Sequence, residues 1–281
     1  MPQSKEYDFY FSLGGACACT QILRHCHLQF ASYPFDWIAG SDIVTRAHII
    51  CNDFQDFLRK EALVLSKKNE SPRGSNIWTN TDNGLEFCHD FHNGISFDEE
   101  YPVVYEKYKR RSKRLIEQIG TSKRVLAVYA ERPCDKTELE DAALIEAQQV
   151  LQAKFPQVEI HLLYLYSDDS ILITEARETE VAKGVFKLRF SYNMFNIYIP
   201  YEVNLPMAAC ALQRYNITDL HLSAKDKKTR ASHLKKPLHA QKLIKLHKFS
   251  YKIARYILNY DGYSRLAQLG HNLIKPFFKK I

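Results

Sequence analysis

At 281 residues, 46% hydrophobic and 25% charged, the chain has the make-up of a globular protein with room for one large domain or two small ones. Seven irregularly spaced cysteines argue against a disulfide framework, no stretch approaches the roughly 20 apolar residues of a membrane span, and the opening Met1-Pro2-Gln3-Ser4-Lys5-Glu6 lacks a signal-peptide pattern, so a cytoplasmic protein is expected. The formal charge of +7 is uneven: residues 225–281 hold 12 Lys and 3 Arg against 2 Asp, and the body before them is net acidic.

The first predicted element is a strand from Tyr7 to Phe11, running into Ser12-Leu13-Gly14-Gly15-Ala16-Cys17 and a helix from Cys17 to His27. Two glycines permit a sharp turn. Cys17 then stands at a helix N-terminus, where unpaired amides and the dipole favour a thiolate, and a lowered thiol pKa is expected. Ser32-Tyr33-Pro34-Phe35-Asp36-Trp37 reads as an aromatic turn, and Ser41 as the cap of a helix from Asp42 to Leu58. Residues 66–76 read as a loop and Leu85 to Phe91 as a short strand. Pro102 is placed in the first turn of a helix reaching Ile119, with Lys107 to Arg114 as its solvated face.

The pattern then turns regular. Arg124 to Ala130 is a near-continuous apolar strand, Asp135 to Phe155 a helix, and Ile160 to Tyr166 a second buried strand: a βαβ crossover in a parallel sheet. Further strands are expected at 171–174, 185–190, 195–199 and 219–223, a helix at 206–215 and a linker at 225–236. Beyond it, Leu243, Ile244, Leu246 and Phe249 recur at helical spacing among Lys242, Lys245, Lys248 and Lys252. The expected architecture is a three-layer α/β domain over residues 1–224, with a mostly parallel sheet and helices on both faces, followed by a basic amphipathic helical extension over 225–281. That extension suits an anionic membrane surface, which would make the protein peripheral on the inner face. Nucleic acid fits less well, because the basic residues alternate with an apolar stripe.

Cysteine catalysis needs a thiolate, a base within hydrogen-bond reach and a group that orients the base. Cys17, His89 and either Asp36 or Asp90 supply those types, and Ser12, Gly14 and Gly15 form a turn suited to an oxyanion or a phosphate. The cluster of Cys17, Cys19, His25, Cys26 and His27 lacks a C-x-x-C pair, and Asp168-Asp169 reads more simply as a loop or cap than as a cation site. No metal and no cofactor are expected.

In order along the chain, S-L-G-x-x-C after a strand, P-F-D-W, H-D-F and the basic Lys107-Tyr108-Lys109-Arg110-Arg111 before a buried strand resemble a bacterial family of papain-like cysteine peptidases, over roughly Tyr7 to Tyr166. The resemblance implies a cysteine-centred hydrolase with Cys17 as nucleophile and His89 as base. It also implies a histidine on an antiparallel sheet, whereas the patterning after Arg124 is that of a parallel one. The leading expectation is a hydrolase or acyl transferase acting on a small-molecule or peptide substrate. The alternatives are an esterase with its nucleophile after the first strand, a transferase acting on glycan precursors at the membrane with the glycine turn holding phosphate, and a non-catalytic binding module.

Overall fold

The structure, a computed structural model, describes residues 4–15, 17–69, 74–130, 137–168, 170–171, 175–190 and 205–234. In chain order these form β1 (Lys5–Tyr7), β2 (Phe9–Gly14), α1 (Cys17–His25), a 3-10 turn (Pro34–Trp37), β3 (Ile38–Gly40) and α2 (Ile43–Cys51). Next come β4 (Leu63–Lys67), β5 (Ser75–Asn80), β6 (Leu85–His92), α3 (Phe97–Gly120), β7 (Arg124–Ala130), α4 (Asp141–Lys154) and β8 (Glu159–Ser167). The described part ends with β9 (Ala176–Ala182), β10 (Val185–Phe190), α5 (Leu205–Ala211), β11 (Tyr215–Ile217) and α6 (Ala224–Leu234).

The chain is a mixed α/β protein. One sheet has the order β2-β7-β8-β10-β9; its first four strands are parallel and β9 runs antiparallel at the edge. Its central strands β7 and β8 are apolar over most of their length because both faces are covered. Phe9, Phe11, Leu13, Val125, Ala127 and Tyr129 enter one core, with residues of α2, α3 and α4. The alternating Tyr10, Leu126, Val128 and Ala130 enter a second core with Ile22 and Leu23 of α1 and Ala208 of α5. The expected crossover is present as β7–α4–β8, with Val125 paired to Ile160 and Val128 to Leu163.

A second sheet, absent from the expected architecture, has the order β3-β6-β5-β4 and is wholly antiparallel. Residues 66–76, expected as a loop, contribute Ser66 and Lys67 to β4 and Ser75 and Asn76 to β5, four polar residues that hide the strand pattern. Several other boundaries differ. The initial strand is split at Asp8, whose carboxylate accepts from the amides of Lys123 and Arg124. The helix expected to reach Leu58 ends at Cys51, because Asp53 and Phe54 take left-handed backbone (φ 57° and 62°) while Phe54, Phe57 and Leu58 stay buried. Helix α3 begins well before Pro102, at a capping box in which Ser96 and Glu99 satisfy each other's amides.

β9 escaped the sequence reading because its charged, exposed residues suit an edge strand. Residues 219–223, expected as a strand, are turns and bends; the strand is β11, paired with β1. The first part of the expected linker is helix α6, capped by Ser223, whose Oγ accepts from the Asp226 amide. Residues 172–174, 195–199 and 235–281 lie outside the described residues, and with them the expected amphipathic extension.

Candidate active site

The site forms where the end of β2 faces β6. Gly14 and Gly15 turn the chain from β2 into α1 with φ of 95° and 84°. The conformation alone favours glycine, and space demands it as well: a Cβ on Gly14 would collide with Arg46, and one on Gly15 with the Ala130 carbonyl. Arg46 is fully buried. Its Nη1 donates to the Leu13 carbonyl at 2.8 Å, and its Nη2 donates to the carbonyls of Ile38 and Gly40. A guanidinium is thus spent on backbone acceptors at the turn, tying β2 to β3. Sequence reading passed over it, although a charged residue on the same helix face as Ile43, Ala47 and Ile50 is a visible anomaly.

Cys17 opens α1 and is half-buried. Its Sγ lies 3.7 Å from Nε2 of His89, within reach of a sulfur hydrogen bond. His89 is exposed and sits on the antiparallel sheet, so the two sheets divide the pair between them. The β5–β6 register shifts between Asn76 and Trp78, opposite Cys88, His89 and Asp90. Such irregularities re-aim side chains. Here one lets His89 turn to Cys17 while its neighbour Asp90 is buried against α3.

The imidazole also meets the edge of the Trp37 indole, with centroids 6.4 Å apart at 88°. No hydrogen bond reaches its Nδ1 among the described residues.

Neither expected orienting carboxylate is placed on the imidazole. Asp90 is paired with Lys107 and accepts from the Tyr108 hydroxyl at 2.7 Å. Lys107, expected on a solvated face, is therefore partly committed. Asp36 is fully buried and accepts from the Tyr33 amide, Gln29 Nε2 and Thr20 Oγ1, with Arg24 at 3.5 Å. Burial pushes its carboxyl above the usual range, against those hydrogen bonds and the Arg24 charge. Asp36 fixes the aromatic turn that presents Trp37.

Two further expectations need correction. Ser12 is fully buried, and its Oγ accepts from the Gly14 amide at 2.9 Å. The Gly14 N–H is thus spent on Ser12, and Ser12 lies beneath the turn rather than at its surface; Gly15 remains at the turn. The Cys17 thiol is not pulled down: burial raises it, and its own backbone amide opposes that only in part.

Among the described residues no group of three His, Cys, Asp or Glu side chains is gathered for a metal ion, and Asp168 accepts from the amide and hydroxyl of Ser170. No helix among the described residues is long and apolar enough to cross a membrane.

The chain is similar to "Uncharacterized protein R408" of Acanthamoeba polyphaga mimivirus, 28% identical over 138 residues, which is 43% of this chain and 61% of that protein. The chain thus spans less than two thirds of the length of this relative. No solved structure matches. The profile of a family described as "Putative papain-like cysteine peptidase (DUF1796)" matches residues 8–169. That span holds β2, the glycine turn, Cys17, the Trp37 turn, His89 and the β7–α4–β8 unit, and the chain belongs to this family.

Proposed function

We propose that the protein is a cysteine-dependent acyl hydrolase or acyl transferase in which Cys17 is the nucleophile and His89 its base. The observation that carries this reading is the 3.7 Å approach of Cys17 Sγ to His89 Nε2 at the start of a helix that follows a glycine turn. Membership of a family described as cysteine peptidases supports it. Burial pushes the Cys17 thiol up, and a base within reach of the sulfur is then what makes it a nucleophile.

The Cys17 sulfur attacks the acyl carbon as its proton passes to Nε2 of His89. The carbonyl oxygen becomes an oxyanion at the start of α1, where the Cys17 amide, which has no partner within the helix ladder, is the donor beside the sulfur. His89 returns the proton to the leaving group as the C–X bond breaks, leaving a thioester on Cys17. Water, or an acceptor in a transferase, then attacks that thioester with His89 as base and frees the thiol. Packing against Trp37 holds the imidazole in place of an orienting carboxylate, which makes the site a dyad.

An activated ester, p-nitrophenyl acetate, tests the reading. Release of p-nitrophenol should accompany acetylation found by mass spectrometry at Cys17. Cys17→Ala should abolish that adduct, and His89→Ala should slow it by about 10²-fold. Acetylation spread evenly over the cysteines, or a rate untouched by His89→Ala, would overturn the proposal.

A further inference from the structure

Ser32 lies between α1 and α3, and two arginines close on it. Arg24 Nη2 donates to the Ser32 hydroxyl at 2.8 Å, and Arg114 Nη1 donates to the Ser32 carbonyl at 3.1 Å. Two guanidinium groups therefore approach one neutral residue. The carboxylate near Arg24 is Asp36, 3.5 Å away, fully buried and already accepting from Tyr33, Gln29 and Thr20. No carboxylate pairs with Arg114 among the described residues. Both side chains reach solvent, and most of their N–H donors make no hydrogen bond among the described residues. Guanidinium donors left open in this way suit an oxyanion, which they bind in a planar fork.

The pair belongs to the same surface as the nucleophile. Arg24 follows Cys17 by seven residues on α1, two turns along the same helix face, which sets it about 10 Å further along the axis. Its guanidinium lies 5.8 Å from the Trp37 ring centroid, and Trp37 meets His89. Cys17, His89, Trp37 and Arg24 thus form one continuous run of contacts.

We infer that Arg24 and Arg114 form an anion-binding subsite of this cleft, selecting acyl substrates that carry a carboxylate or phosphate group on the Arg24 side of Trp37, away from the carbon that Cys17 attacks. The inference rests on the reading of Cys17 as the nucleophile. The aromatic between the two ends supports the apolar spacer of such a substrate.

The test uses the full chain and three electrophiles of equal length: 6-bromoacetamidohexanoate, its primary amide and the matching phosphonate. At low salt an anionic reagent should alkylate Cys17 at least about fivefold faster than the amide, and salt should shrink that ratio. Whichever of the carboxylate and the phosphonate is faster names the substrate class. In Arg24→Gln and in Arg114→Gln the ratio of anionic to neutral rates should fall to about one. The ratio is taken within each variant, so any general effect on the thiol cancels.

Equal rates for anionic and neutral reagents in the unmodified chain would overturn the subsite while leaving Cys17 as nucleophile. If no reagent reaches Cys17, binding of unreactive 6-acetamidohexanoate, followed by NMR line broadening, decides separately. Binding lost in Arg24→Gln would keep the anion site and sink the nucleophile. No binding to the unmodified chain would sink the subsite as well.

Discussion

The strands that lead to the proposed nucleophile, β2 and β7, are buried on both faces, whereas the sheet that carries the proposed base ends in β4, where four of five side chains are exposed. On the first, Cys17 is positioned by a glycine turn wedged against Arg46 and the Ala130 carbonyl. On the second, His89 is positioned by a break in strand register and the edge of one indole ring. One half of the site is built for rigidity and the other tolerates adjustment. In the proposed mechanism a thiol that meets an incoming carbon needs a fixed position, while a base that first accepts and then returns a proton gains from some freedom. If the comparison holds, damage beneath Cys17 should cost stability and damage around His89 should cost rate.

The largest effect is expected from Arg46→Leu. It leaves the carbonyls of Leu13, Ile38 and Gly40 without this donor, and buried acceptors left unpaired cost about 1–3 kcal/mol each. Urea unfolding should show a loss of about 3 kcal/mol or more. A loss below about 1 kcal/mol would mean that the turn is held by other contacts.

The next effect separates the two halves by pH. An acid whose folded pKa is raised stays protonated over a wider range, so the half-buried Cys17 thiol holds less thiolate at neutral pH than a free cysteine does. With His89→Ala, the rate of Cys17 alkylation by iodoacetamide should keep rising through and beyond the usual thiol range. At neutral pH that variant should trail the unmodified chain by about tenfold. Its melting temperature should hold within a few degrees, since His89 is exposed. A rate already flat from pH 6 upward in the unmodified chain would instead reveal a standing thiolate–imidazolium pair.

The smallest effect tests the edge. Leu65 of β4 is 47% exposed, so Leu65→Thr should change the unfolding free energy by less than about 0.5 kcal/mol. A greater loss would mean that β4 supports the His89 strand more firmly than its exposure suggests.

What the sequence determined by itself is what short-range pattern encodes. The apolar runs of β7 and β8 with a helix between them dictate a parallel crossover, since an unbroken apolar strand must be covered on both faces. The strand, glycine turn and helix placed Cys17 at a helix start, and motif order along the chain, read through the family resemblance, singled out His89. The tertiary structure alone decided the rest.

Strands β4 and β5 exist because β4 pairs with β5 and β5 with β6, although Ser66, Lys67, Ser75 and Asn76 are polar and β4 is largely exposed. Asp36 and Asp90 are the right residue type for an orienting carboxylate, yet Tyr33, Gln29 and Thr20 claim the first, and Lys107 and Tyr108 the second. The direction of the Cys17 pKa was equally invisible. A helix N-terminus is a local feature, but desolvation sums over neighbours brought in from distant parts of the chain, and that sum is set only when the chain has folded.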